Sequence, residues 1–427
     1  MPAKQQHGRQ YDLVLFGATG YTGKYAAQYI TTHLPTDLKW AVAGRSQSKL
    51  EEVVAECKRL NPDRVQPAVE ICRLTDEDLA GLARKTFVLA TTVGPYGKLG
   101  EHAFKACAEN GTHYLDVTGE VPFVARMIKK YEETARRTGA LMFPQIGIES
   151  APPDLVTWSL ASFIRNEFGS PTADVTVSVH NLRSAPSGGT LTTVLTIFEN
   201  FTLSELRAAY APYALLPAGA PPPPPPPARA RRPRPSLLTR LTGLVTVPSL
   251  GTLTTSPAGS TDAAAVQRTW GLLATTPSRR AQAYGDRFSF REYLRPRNWL
   301  TGIAIHYGLV LLGLVMLTPW LRRLALRFVT PPGQGPDPEV ASRDEIEYRG
   351  IGRRDGGAGE RAICRAEFRG GTYYLTGILL AEAASTLLEE DVDLPGGVYT
   401  AACLGQPLID RLSRGGFRFE TKRLEDY

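Results

Sequence analysis

The chain is poor in the residues that staple small folds or hold metals. Its five cysteines, Cys57, Cys72, Cys107, Cys364 and Cys403, are odd in number, widely scattered and form no Cys-x-x-Cys pair. Its six histidines fall at no ligand spacing. A disulfide framework and a structural zinc site are therefore not expected, no residue is assigned to a metal, and the pattern suits a reducing compartment. Residues 1–10 are polar and lack the apolar core of a signal peptide, which points to an intracellular location. The net charge of +7 is not a diffuse basic face. Arg229, Arg231, Arg232 and Arg234 crowd one segment, and Arg322, Arg323 and Arg327 follow another, without interleaved aromatics, so nucleic acid is not an expected partner. What remains is an ordinary folded composition, 43% hydrophobic and 21% charged, in 427 residues, enough for two domains and a large core.

The most informative stretch is Phe16-Gly17-Ala18-Thr19-Gly20-Tyr21-Thr22-Gly23. It follows an apolar strand-like run, 11–16, and precedes a periodic helical segment, 24–32. Strand, glycine turn and helix in that order are the context of a dinucleotide-binding turn. Gly17 allows the tight turn, Gly20 lets backbone approach a pyrophosphate, and Gly23 lets helix and sheet pack closely. The unpaired N–H groups at the helix start, with the positive end of the dipole, attract phosphate. Ala18, Thr19, Tyr21 and Thr22 complete the cradle. The next strand, 38–43, ends in Gly44-Arg45-Ser46. An NAD site carries an acid here for the ribose 2′-OH, whereas Arg45 and Ser46 offer charge and a hydroxyl to a 2′-phosphate, so the expected cofactor is NADP(H).

Strand and helix alternate to about residue 150, which predicts a Rossmann-like, doubly wound parallel sheet over 1–150. Ligands of such sheets lie beyond the C-terminal strand ends. That places the Gly17 turn, Val93-Gly94-Pro95-Tyr96, Asp116 to Glu120 and Gly147-Ile148-Glu149 around one crevice. Val93, Gly94 and Pro95 are expected against the nicotinamide half. Tyr96, Asp116 and Glu149 are the candidate catalytic groups, with Tyr96 as proton donor or enolate stabiliser. Glu120 reads better as a cap of the helix beginning near 122, Asp154 as a first-turn helix acid, and His180 as a core or surface residue. None of the seventeen tyrosines has lysine four positions on, which argues against the Tyr-x-x-x-Lys proton relay of short-chain dehydrogenases.

Residues 151–427 read as a second, mixed α+β domain for substrate binding or dimerisation, ending in a helix and strand over 403–421. Two features interrupt it. Residues 215–236, with seven consecutive prolines, form a linker or insertion. Residues 299–329 carry the strongest apolar run, without formal charge from 302 to 321 and flanked by Trp299, Trp320 and arginines. Two readings stay open: contact of 302–321 with a membrane or lipid droplet, spanning or lying in one leaflet, or burial as a hairpin within the second domain or at a homodimer interface.

These motifs together, with Gly100-Glu101, Tyr114-Leu115-Asp116-Val117-Thr118-Gly119-Glu120 and Gly147-Ile148-Glu149-Ser150-Ala151-Pro152-Pro153-Asp154-Leu155, resemble the saccharopine dehydrogenase-like oxidoreductase family, which includes the trans-acting enoyl reductases. The resemblance is weaker at 187–190 and 371–382. Family members often carry Gly-Phe-Asp-Ser-x-Pro where this chain has Gly147-Ile148-Glu149-Ser150-Ala151-Pro152, so a carboxylate stays but reaches one methylene further. The resemblance implies a nucleotide domain, a mixed second domain and NADP(H) redox chemistry. The expected reaction is hydride transfer to a C=C, C=O or C=N bond, with enoyl reduction of a lipid- or polyketide-like substrate foremost. The competing reading is a non-catalytic, nucleotide-binding scaffold at a membrane or lipid surface, on its cytoplasmic side. An amino-acid dehydrogenase of lysine metabolism would need a basic cluster for two carboxylates, and the sequence locates none.

Overall fold

A computed structural model describes residues 5–184, 186–223, 236–328, 333–356 and 359–425. The first sheet is parallel throughout. Its strands are β1 (Tyr11–Phe16), β2 (Trp40–Gly44), β3 (Ala68–Ile71), β4 (Thr86–Thr91), β5 (His113–Asp116) and β6 (Leu141–Phe143). The second sheet contains β7 (Thr172–Arg183), β8 (Val245–Val247), β9 (Gly251–Thr255), β10 (Ser289–Leu294), β11 (Glu345–Arg354) and β12 (Arg361–Arg369). The two-residue β13 (Gly397–Val398) returns to the first sheet, and β14 (Arg418–Leu424) closes the second. The orders are β13-β6-β5-β4-β1-β2-β3 and β14-β12-β11-β7-β10-β9-β8. The first is the doubly wound arrangement expected from the strand–helix alternation, with the chain reversing direction across the sheet between β1 and β4.

Burial on both faces explains why β1 and β2 are apolar without alternation. Leu13 and Leu15 join one core layer while Val14 and Phe16 join the other. Helices Glu101–Asn110 and Val121–Thr138 cover the second layer, and both end at glycines in the left-handed region, Gly111 at φ 65° and Gly139 at φ 79°. Those C-caps were legible as Asn110-Gly111 and Thr138-Gly139. The first layer is covered by helix Tyr21–His33 and by helix Thr372–Glu389, which comes from far down the chain.

The second sheet mixes directions. β7 runs parallel to β10 but antiparallel to β11. Its inner face packs on helix Ala151–Phe168, where Gly350 and Gly352 of β11 leave room for Val156, Leu160 and Ile164. Asp154 is fully enclosed there. It accepts from Thr269 Oγ1 at 2.6 Å and Ala402 N at 2.9 Å, tying its helix to helix Gly259–Thr275 and to residues 401–404. Burial pushes its carboxyl up to about 7. The proline-rich insertion begins later than 215: Leu215 is buried and its carbonyl accepts from Arg268 at 2.6 Å. Residues 224–235 of it lie outside the described residues.

The apolar segment forms helix Trp299–Leu317 and, after Thr318, helix Pro319–Leu326. It is not buried in the second domain. Of the longer helix only Gly302 is buried, while Leu311, Leu314 and Leu317 are more than half exposed.

Candidate active site

The glycine turn is shaped by contacts that no side chain could share. Gly17 adopts φ 90°, and a Cβ there would lie 2.8 Å from Val93 Cγ2. A Cβ at Gly23 would fall 2.2 Å from the Gly17 carbonyl oxygen, so the helix is seated directly on the turn. The Gly20 N–H donates to the Gly17 carbonyl at 3.0 Å and closes the loop. Gly20 offers no side chain to cap the helix, which leaves the N–H groups of its first turn pointing outward for an anion. Thr19 and Thr22 remain partly accessible, and Ala18 is buried beneath. Tyr21 turns away from this cradle: its hydroxyl donates to the Pro336 carbonyl at 2.7 Å and its ring meets Tyr373 edge-on at 5.1 Å.

The ends of β4 and β5 are braced by a buried polar network. Tyr96 is buried, donates its hydroxyl to the Thr91 carbonyl at 3.0 Å and accepts from Val117 N at 3.4 Å. Burial, then the charge of Asp116, holds that phenol well above its usual range. This corrects the expectation of a proton donor: the hydroxyl points into the protein and is committed to backbone. Asp116 is likewise enclosed. It accepts from Thr118 N and Gln145 N, both at 2.9 Å, and from Tyr114 Oη at 2.8 Å, and burial moves it up to about 6. These bonds join the ends of β5 and β6 and hold Gln145 at φ 65°.

Glu120 does not cap its own helix. Its two oxygens accept from Tyr96 N at 2.7 Å and Gly97 N at 2.9 Å, clamping the loop after the cis Gly94–Pro95 bond. Burial raises it to about 7 against the opposing effect of those two donors. His180, on β7, is a buried residue beside Arg295, and burial lowers it to about 4.

Glu149 differs from all of these. It is exposed, its carboxylate pairs with nothing among the described residues, and it lies over Gly119, where a Cβ would be 2.1 Å from its Oε2. Surrounding protein still raises its affinity for a proton. Glu149 is thus an accessible carboxyl at the strand ends whose surroundings favour its protonated form. Groups of the second domain lie close by. Tyr348 of β11 donates to the Ile148 carbonyl at 3.1 Å. Asp262 and Glu292 are buried, burial and then the charge of Glu292 push Asp262 well above its ordinary range, and Ser256 Oγ donates to Glu292 at 2.6 Å. The charge of Glu149 acts on Asp262, Tyr348 and Tyr210, so these groups share one electrostatic neighbourhood. Among the described residues no cluster could hold a metal.

Residues 13–142 match the saccharopine dehydrogenase NADP binding domain. Across 435 residues, 97% of this chain and 98% of the relative, the protein is 30% identical to a Mycobacterium tuberculosis protein of the trans-acting enoyl reductase type. The chain belongs to the saccharopine dehydrogenase-like oxidoreductase family. A Rattus norvegicus saccharopine dehydrogenase-like oxidoreductase is 28% identical over 96% of this chain and 97% of its own. Apo saccharopine dehydrogenase (L-Glu forming) from Saccharomyces cerevisiae shares the fold, with a TM-score of 0.51 at 11% identity, covering 97% of this chain and 99% of that one.

This saccharopine dehydrogenase-like oxidoreductase is an NADP-binding protein, and its residues fit that cofactor. The Gly17–Gly23 cradle is closed to side chains and open to phosphate. At the end of β2, Arg45 is exposed and without a partner among the described residues, and Ser46 Oγ, 3.3 Å from Ser48 Oγ, stands at the start of helix Gln47–Leu60. A cation and a hydroxyl at a helix N-terminus are the groups a 2′-phosphate needs. Val93, Gly94 and Pro95 lie at the mouth of the crevice, with Gly94 exposed. Sequence reasoning missed Tyr210, Asp262, Glu292 and Tyr348. One signal was available: Phe290 and Glu292 share the inward parity of β10, so the strand period itself put an acid on the core face.

Proposed function

We propose that this oxidoreductase reduces the C=C bond of an enoyl thioester on a lipid- or polyketide-like chain, with NADPH as reductant. The observation that carries the reading is the pairing of an NADP cradle with a single accessible, unpartnered acid, Glu149, in the same strand-end crevice. The Gly17–Gly23 cradle with Arg45 and Ser46 would hold NADPH, which would supply the hydride that the β-carbon of the enoyl group takes up. The charge then resides on the thioester as an enolate, and the α-carbon must take a proton. Glu149, raised by its surroundings, donates that proton from its carboxyl and recovers it from solvent through the open side of the crevice. One hydride and one proton add across the double bond, and the acyl chain leaves saturated.

Tyr96, Asp116 and Glu120 position rather than react. They lock the loops after β4 and β5, so the crevice floor is rigid before substrate arrives. Burial is what favours the protonated form of Glu149. The names of the mycobacterial relatives and the apolar hairpin beside the second domain both support an acyl substrate.

The test is NADPH consumption with 2-enoyl thioesters of increasing chain length, against matched ketones and imines. Glu149→Gln is expected to lower kcat on the order of 10²–10⁴-fold with NADPH affinity unchanged. Turnover of ketones or imines instead would move the reaction to C=O or C=N. NADPH binding without consumption of any of these would favour a lipid-surface scaffold.

A further inference from the structure

We infer that helices Trp299–Leu317 and Pro319–Leu326 form a hairpin that inserts into one leaflet of an anionic phospholipid bilayer without crossing it. The longer helix is long and apolar enough to span, with a mean hydropathy of 2.1, and only Gly302 of it is buried. Its attachment decides against spanning. The first turns are fastened to the second sheet: Thr254 Oγ1 donates to the Gly302 carbonyl at 2.8 Å, and His306 Nδ1 lies 2.9 Å from Thr255 Oγ1. Tyr307 Oη donates to the Leu241 carbonyl at 2.8 Å. After the break at Thr318 and Pro319 the second leg comes back to the same body. Arg322 there lies 3.6 Å from Glu199 of helix Gly188–Asn200. Arg322 is one turn past Thr318, so the long helix is held to the body at its root and again near its break, and lies along the surface with its outer leucines free to enter a single leaflet.

The surroundings match a bilayer with acidic headgroups. Leu237, Leu238 and Leu241 of helix Leu237–Thr242 are 63–76% exposed and adjoin Tyr307, extending the apolar face. Trp299 at the root and Trp320 just past the break, 59% and 66% exposed, are side chains of the kind that membrane interfaces collect. Charge is one-sided. No Asp or Glu occurs from residue 293 to 336, while Arg295, Arg297, Arg322, Arg323 and Arg327 do. A stretch without acids also runs from 206 to 261 around Arg240. Exposed leucines framed by arginines alone suit phospholipid tails beneath anionic headgroups.

The full chain is tested by flotation with vesicles of phosphatidylcholine and of phosphatidylcholine mixed with phosphatidylglycerol. Wild type is expected to float with both and to prefer the anionic ones. The double variant Leu311→Asp, Leu314→Asp should stay at the bottom while binding NADPH as before. Arg323→Glu with Arg327→Glu should lose only the preference for phosphatidylglycerol. Thr318→Cys, at the break between the two helices, adds a partly exposed thiol to a chain whose own cysteines are buried. A membrane-impermeant maleimide trapped inside the vesicles should not reach it, and labelling from inside would overturn the one-leaflet geometry. Absence of flotation, with a dimer that the leucine variants convert to monomer, would overturn the membrane assignment in favour of a second copy of the chain.

Discussion

Two long apolar helices of this protein meet opposite fates. Helix Thr372–Glu389 is buried along most of its length, whereas in helix Trp299–Leu317 only Gly302 is buried and more than half of the residues are exposed. The bare helix is the more hydrophobic of the two, so apolarity alone does not bury a helix; side-chain size and polar pairing do. The buried helix carries Gly377, whose Cα sits so close to helix Tyr21–His33 that a Cβ would lie 2.9 Å from Ala26 N. Ala381, Ala383 and Ala384 also keep its profile low. Its polar groups are answered: Tyr29 donates to Glu382 at 2.7 Å, and Arg411 contacts Ser385 and Glu389, each at 3.0 Å. The bare helix presents leucine, valine and tryptophan, with its few polar groups satisfied only near its root. A helix meant for a protein neighbour is made small and paired, and one meant for lipid need only be greasy.

The contrast carries function because Gly377 braces the helix that begins at the phosphate cradle. The largest effect should come from Gly377→Leu. It forces a side chain against backbone, at the upper end of the roughly 1–3 kcal/mol typical of overpacking, and should weaken NADPH binding as the helix shifts. Thermal melts and NADPH titration check both, and an unchanged melting temperature would break the comparison. At the other extreme, Leu311→Ser on the bare helix should leave stability within about 0.5 kcal/mol of wild type. A substantial loss there would mean that the helix packs against protein after all.

Between these lies Glu120→Gln, which tests whether the crevice floor is built from buried acids. An amide can accept from only one of the two N–H groups, so a loss of about 1–3 kcal/mol is expected. The sign of the pH dependence follows from the raised carboxyl, about 7 in the folded protein against an ordinary value of 4.5. Between those values the folded state holds a proton that the unfolded state has released, so wild type loses the Glu120 contribution as pH rises through that window. The variant has no such group. Its deficit relative to wild type should therefore narrow from pH 4.5 to 7, and a widening deficit would contradict the assignment.

Much of the nucleotide half was legible because its requirements are local. Gly17, Gly20 and Gly23 sit where the turn needs them, Gly111 and Gly139 end helices at their C-caps, and β1, β2 and β4 are apolar runs of ordinary length. The same locality misled for Tyr96. Its place after a strand end suggested the crevice, but the chain turns its ring inward, against Phe123 at 5.8 Å. The second half was harder because its contacts are distant. β13 is two residues long and joins β6 from some 250 positions away, so no pattern announces it. Asp262 and Glu292 are thirty residues apart and meet only when helix Gly259–Thr275 lies on β10. The place of Glu149 at a strand end was legible, but its openness, in contrast to Asp116 and Glu120, was visible only in three dimensions.

The most direct test of the account is a fluorescence titration of the protein with NADPH and NADH, for wild type and Arg45→Ala. The account predicts that NADPH binds more tightly than NADH, and that the substitution weakens NADPH by roughly 10–100-fold, the worth of a charged hydrogen bond, while leaving NADH unchanged. Equal loss for both nucleotides, or no binding of either, would contradict it.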